Sequence, residues 1–267
     1  MPRWALGIEY DGSRFAGFQR QRHHAATTVQ GDLEAALSRI ADHPVTVFCA
    51  GRTDAGVHAT GQVVHFETVA PRAAKAWLRG GNTLTDAGLC IHWAQPVGDD
   101  FHARFSALWR RYVYVLTDAP IRQALLRDRI ARVPGPLSAE AMHAAGAALI
   151  GEHDFSSFRA AGCQARHGIR EVQSLTVRRR DTLLSIDIRA NAFVQHMVRN
   201  IVGSLLTVGR GAAPVEWIGE LLALRDRTRA AATARPEGLY LVQVGYPEVL
   251  GVPAAGPALP MPFALLG

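Results

Sequence analysis

Lysine is almost missing from this 267-residue chain: Lys75 is the single one among 29 basic residues. Positive charge is therefore carried by guanidinium groups, which are planar, permanently ionised and suited to bidentate phosphate contacts and to stacking on bases. A coding bias, in a chain also rich in Ala and Gly, accounts for the same fact equally well. Cysteine is scarce too. Cys49, Cys90 and Cys163 are odd in number and far apart, with no CxxC pair, so they read as buried thiols in a reducing compartment rather than as a disulfide framework. No apolar run is long enough to cross a bilayer, and the opening MPRWALGIEYDG enters a strand pattern without the apolar stretch of a signal peptide. The expectation is a soluble, cytoplasmic protein that does not engage a membrane.

What is present is a folding chain with a basic excess. Hydrophobic residues make up 48%, which excludes a disordered chain, and the length allows one large or two ordinary domains. A formal charge of +6 favours a polyanionic partner, although basic enzymes with small substrates exist.

One order of elements occurs twice. The first half reads as strand 4–10, helix 29–41, strands 45–50 and 62–68, helix 71–79 and strand 89–95, a βαββαβ order. Val29, Leu33, Ala36, Leu37 and Ile40 form the apolar stripe of the first helix, Thr27 and Gln30 have capping-box spacing, and Pro44 stops it. The second half repeats the order with strand 107–117, helix 138–150, strands 172–178 and 183–189, helix 193–208 and strand 239–244, with an extra helix at 214–224. The fold class expected is α+β: two related βαββαβ-like domains with mostly antiparallel sheets, 1–105 and 106–249, joined around a central cleft wide enough for RNA, and a Pro-rich surface tail at 250–267.

The chemistry is sought first at Asp54. An apolar run enters Gly51-Arg52-Thr53-Asp54-Ala55-Gly56 and a second run leaves it, so Asp54 sits at a turn between strands, flanked by glycines and preceded by the guanidinium of Arg52. An arbitrary Asp in such a place more often closes an Asx-turn.

The wider sequence changes that balance. GRTDAGVHATGQVVHF is similar to the active-site segment of the tRNA pseudouridine synthase I family, which isomerises uridines in the anticodon stem-loop of tRNA. IEYDGSRFAGFQRQ with TTVQGDLEAAL resembles the family's opening strand and first helix, and FHARFSALWRRYVYVL its mid-chain strand. NAFVQHMVRNIVGSLLTVG and EGLYLVQVGY resemble its closing helix and last strand. The resemblance implies that Asp54 is the catalytic carboxylate, that Tyr112 contacts the target uracil and that Arg199 pairs with the aspartate. It also implies that Leu239 walls one face of the base and that Arg52 fills the space the flipped base leaves or holds the flanking phosphate. On pattern alone Tyr112 is a core aromatic, Arg199 the solvated side of an amphipathic helix and Leu239 a core strand residue. Arg14, Arg20 and Arg22 form a basic patch suited to RNA phosphates, and Arg178 to Arg180 are a weaker candidate. The reaction needs neither redox change nor water, so no cofactor is implied, and the family likeness suggests a homodimer in which one tRNA touches both subunits.

Asp54, His58 and His65 could be taken for metal ligands, but a turn and a strand without HExxH or a Cys pair make a poor zinc pattern, and none is expected. His102 and His196 read as structural or RNA-facing. Thr85 stands where a proline is expected, Phe18 where tryptophan is common, and QARHGIR is unusual; these bear on loop geometry and on the choice of uridine. Two other classes compete: an RNA-binding module that would not need Asp54, and a metal-dependent RNA hydrolase using Asp54 with His58 and His65.

Overall fold

The computed structural model describes residues 1–20 and 27–253. They fall into two compact units, one made of Met1–Arg110 with the segment from Tyr240, the other of Arg111–Leu239. The expected domain limits, 105 and 249, differ from this division. The chain leaves the first unit inside one strand and re-enters it at Tyr240, because the last strand pairs with a strand of the first unit through Tyr240 and Leu241 against His58 and Ala59. Of the Pro-rich tail, residues 254–267 lie outside the described residues.

The amino-terminal unit is a sheet in the order β4-β1-β3-β10, built from β1 (Arg3–Tyr10), β3 (His58–Glu67), β4 (Leu89–Val97) and β10 (Leu239–Gly245), with the short β2 (Phe48–Cys49) also on β3. Pairing is antiparallel except for β3 with β10. Helix α1 (Val29–Ala41) buries Val29, Leu33, Ala36 and Leu37, the stripe read from the sequence. Its cap is Thr28, whose side chain accepts from the Gly31 N–H, rather than Thr27. The expected second helix is a single π turn, Ala76–Gly80, running into a short α2 (Gly81–Leu84). The π turn buries Trp77 against Trp4 and Phe66. Strand β2 is shorter than expected because the backbone of Val45 and Val47 is satisfied by Ser38 and Glu34 of α1 instead of by a strand partner.

The second unit holds β5 (Trp109–Thr117), β7 (Gly151–Asp154), β8 (Ile169–Arg180) and β9 (Leu183–Ala190) in the order β5-β9-β8-β7, with β6 (Ala131–Arg132) parallel to β5. Helix α3 (Ala139–Gly146) lies on β8, where Gly146 meets Leu175, and α5 (Trp217–Leu224) is shorter than expected. Helix α4 (Met197–Gly209) starts four residues later than its apolar pattern suggests, because His196 takes the left-handed conformation and ends the continuity with Phe193. Among the described residues no helix is long and apolar enough to cross a membrane. Cys90 is exposed and Cys49 and Cys163 are half-buried, so the thiols are not the uniformly buried set expected.

Candidate active site

Asp54 opens the tight turn of a hairpin that rises from β2 and returns into β3. Its carbonyl accepts the N–H of Val57, and Gly56, at φ +79, takes the positive angle that glycine adopts at little cost. Asp54 is half-buried, Thr53 before it is buried and Arg52 is exposed. The hairpin therefore presents a carboxylate with a guanidinium two residues away and anchors itself through Thr53.

The anchoring begins at the start of α1. The first backbone N–H groups of a helix lack intrahelical partners. Here Val29 and Gln30 donate to the carbonyls of Gly17 and Phe18, while Gly31 and Asp32 donate to the side chain and carbonyl of Thr28. Phe18 then donates its own N–H to Thr53 O at 3.0 Å, so the helix terminus, the segment 12–18 and the hairpin form one hydrogen-bonded body. Two glycines permit the approach. A Cβ at Gly12 would lie 2.1 Å from Val57 O, and Gly17, at φ +95, faces the backbone of Thr53 to Ala55.

Side chains complete the frame. Tyr10 Oη stands 2.8 Å from Thr53 Oγ1, and Gln62 donates to Gly51 O at 2.6 Å and to Tyr10 Oη at 3.4 Å. Arg110 is buried, and its Nε and Nη2 donate to Ala50 O at the foot of the hairpin. His58 Nδ1 accepts the Gly12 N–H at 3.0 Å, which puts the ring proton on Nε2, and the ring stacks on Tyr240 at 4.7 Å. His65, further along β3, accepts the Ala103 N–H. The two histidines are spent on backbone donors, and among the described residues no group of three or more His, Cys, Asp or Glu side chains is placed to hold a metal ion.

In the second unit, both faces of β5 are largely buried. Tyr112 and Tyr114 share one and Val113 and Val115 the other, while Arg111 pairs with Asp187. Tyr112 meets Phe193 edge to face at 5.0 Å. Arg199 is half-buried rather than solvated: its Nε donates to Ala234 O at 2.7 Å, and the Ala234 N–H donates back to Arg199 O. Asn200 and Gly203 fix the same segment, the first by accepting from Thr233 and Arg227, the second because a Cβ there would lie 2.0 Å from Ala232 O. This strap continues to Gly238, under the ring of Tyr114, and to the buried Leu239. Arg199, Leu239 and the Tyr112 strand thus belong to one framework within this unit.

The basic patch is less uniform than its sequence. Arg14 forms a bidentate pair with Asp86 at 2.6 and 2.8 Å, which holds the Asp86 carboxyl at about 2. Arg20 is largely exposed, 3.5 Å from Glu34, and Arg22 lies outside the described residues. Arg179 is tied to Asp118 and Leu137 O.

The sequence singles out Asp54 and Arg52 as candidates but not Tyr10, Gln62 and Arg110, which brace the hairpin. The only local signal for them was the pair of glycines in DGSRFAGF, since long-range hydrogen bonds leave no periodicity.

An α+β protein that mounts one carboxylate on a hairpin braced from three directions has the build of an enzyme working through a single positioned acid group. Residues 7–106 and 145–247 match a family model described as tRNA pseudouridine synthase. The chain is 54% identical to the tRNA pseudouridine synthase A of Shewanella amazonensis (strain ATCC BAA-1098 / SB2B), across 94% of this chain and 95% of that protein. It is 55% identical to the proteins of the same name from Aeromonas hydrophila subsp. hydrophila, across 94% and 93%, and Escherichia fergusonii, across 93% and 92%. The chain belongs to the tRNA pseudouridine synthase family. Among solved structures, a chain of a Cbf5-Nop10-Gar1 complex aligns over 90% of this chain and 49% of that one, at 11% identity and a TM-score of 0.37.

Proposed function

We propose that this enzyme isomerises uridine to pseudouridine in the anticodon stem-loop of tRNA, with Asp54 as its catalytic residue. The observation that carries the assignment is the braced hairpin that presents Asp54, inside the stretch that matches the family model. In the reaction the bond from N1 of uracil to C1′ of ribose breaks, the base turns, and C5 bonds to the same carbon. C5 gives up its proton and N1 gains one, so no oxidant, reductant or water is consumed. A carboxylate assists either by trapping the oxocarbenium-like sugar or by adding to C6 of the base. In both cases it must meet an unstacked nucleotide, and a rigid mount removes the cost of ordering it at that moment.

The remaining roles follow the family likeness. Tyr112 and Leu239 hold the freed uracil, Arg199 pairs with the aspartate and orients it, and Arg52 occupies the space left by the flipped base or holds the flanking phosphate. Arg14, Arg20 and Arg22 contact the RNA backbone. The enzyme works in the cytoplasm as a homodimer on one tRNA.

The test compares wild type with Asp54→Asn on an unmodified tRNA transcript, reading nucleosides after digestion and RNA binding in parallel. Pseudouridine from wild type only, with binding intact in both, is expected; pseudouridine from Asp54→Asn, or loss of RNA binding with it, would overturn the assignment.

A further inference from the structure

Beside the Asp54 hairpin, the amino-terminal unit exposes rings that its core does not use. Phe105 is 76% exposed and Phe48 50% exposed. They end a continuous run of aromatic side chains: Phe48 stacks on His65 at 5.1 Å, His65 meets His102 at 4.4 Å, and His102 meets Phe105 at 4.4 Å. The Arg104 guanidinium carbon stands 5.5 Å from the Phe105 ring centre.

The exposure is built, not frayed. His102 Nδ1 accepts the N–H groups of Arg104 and Phe105, the His102 N–H donates to Ser106 Oγ, and the Ser106 N–H donates back to His102 O. Tyr246 donates to Ala103 O. Most tellingly, Arg110 joins this loop to the active-site hairpin: the guanidinium that donates to Ala50 O also donates to Arg104 O at 2.6 Å and Ala107 O at 3.2 Å. Phe48 itself lies in β2, two residues before Ala50. The loop that carries Phe105 and the foot of the Asp54 hairpin are therefore tied to the same guanidinium.

The surface is aromatic with cationic edges. Burial holds His65 at about 4 and also lowers His102, so both rings are neutral at pH 7. The Arg104 guanidinium lies over the Phe105 ring, and Arg52 follows Phe48 by four residues on the segment that runs from β2 into the hairpin. Flat apolar faces edged by guanidinium groups fit an unpaired base with its phosphate better than they fit a lipid or an apolar protein surface. Flipping one uridine also strips a stacking partner from the nucleotide beside it.

Resting on the proposed function, we propose that Phe105, with Phe48 and Arg104, is a stacking platform for the nucleotide adjacent to the target uridine. Phe105 is a positioning residue on this account, not a catalytic one. Removing the ring raises KM by about ten-fold, within the range for one base–aromatic stack, and leaves kcat nearly unchanged. The probe is a tRNA anticodon stem-loop carrying 2-aminopurine next to the target uridine, bound to the full chain in an Asp54→Asn background. Added Phe105→Ala brightens the bound probe relative to the intact ring, and Phe105→Trp keeps it quenched. Unchanged fluorescence and KM in Phe105→Ala would overturn the platform. So would a lower sedimenting mass with unchanged RNA binding, which would make the patch a contact between copies of this chain. A quenched probe on a wild type that forms no pseudouridine would uphold the platform and overturn the proposed function instead.

Discussion

The hydroxyl of Tyr10 stands 2.8 Å from Thr53, one residue before Asp54, and accepts from Gln62. Tyr10→Phe removes one oxygen, leaves two buried polar groups short of a partner, and so costs about 1–2 kcal/mol in urea unfolding. The looser hairpin also lowers single-turnover rate about ten-fold while tRNA affinity stays the same; an unchanged rate would mean that the frame does not position the carboxylate. His65 makes a separate prediction. Its folded value, about 4, lies below the usual 6.5 because burial disfavours the charged ring. The unfolded chain therefore binds the extra proton first, so stability is full above 6.5, falls as the pH drops from 6.5 to 4, and levels off below. His65→Asn, whose side-chain oxygen can still accept the Ala103 N–H, should lose less stability than wild type between pH 7.5 and 5. Equal losses would contradict it. At this scale the local sequence marks the turn at Asp54 through its glycines and Arg52, while the catalytic role proposed for it comes only from the wider family resemblance. Tyr10 and Gln62 were illegible, because a tyrosine and a glutamine in strands look the same whether they brace a loop or fill a core.

Helix α1 was legible to the residue at both ends, since its apolar stripe and the turn beyond it are local features. Its cap was misread by one position: Thr27 and Thr28 are adjacent hydroxyls, and only the backbone decides which one faces Gly31. Because the same helix terminus holds Gly17 and Phe18 under the hairpin, Thr28→Ala should cost about 1 kcal/mol in unfolding and reduce turnover as well. A stability loss with wholly normal turnover would separate the helix from the site. Helix α4 was drawn too long, as periodicity continues through residues whose backbone does not, and a left-handed His196 is invisible to it. The buried Asn200, on the side of α4 away from its apolar arc, follows from the strap 232–239, a contact no local pattern announces.

Two α+β units were legible from the repeated order of elements, but not where the chain divides. The last strand pairs in parallel with β3 across a long stretch of sequence, and such pairings carry no local mark. The basic excess also needed the structure to be read. Arg14 is neutralised by Asp86 whereas Arg20 is largely exposed, so Arg20→Ala should reduce the salt dependence of tRNA binding by about one unit of logarithmic slope and Arg14→Ala by clearly less. Equal effects would show that the Asp86 pair opens when RNA binds. The central claim concerns the whole molecule acting on its substrate, and release of tritium from C5-labelled uridine in an unmodified tRNA tests it most directly. Wild type should release label and Asp54→Asn should bind the same tRNA and release none. Release by the variant, or none by wild type that still binds, would contradict the account.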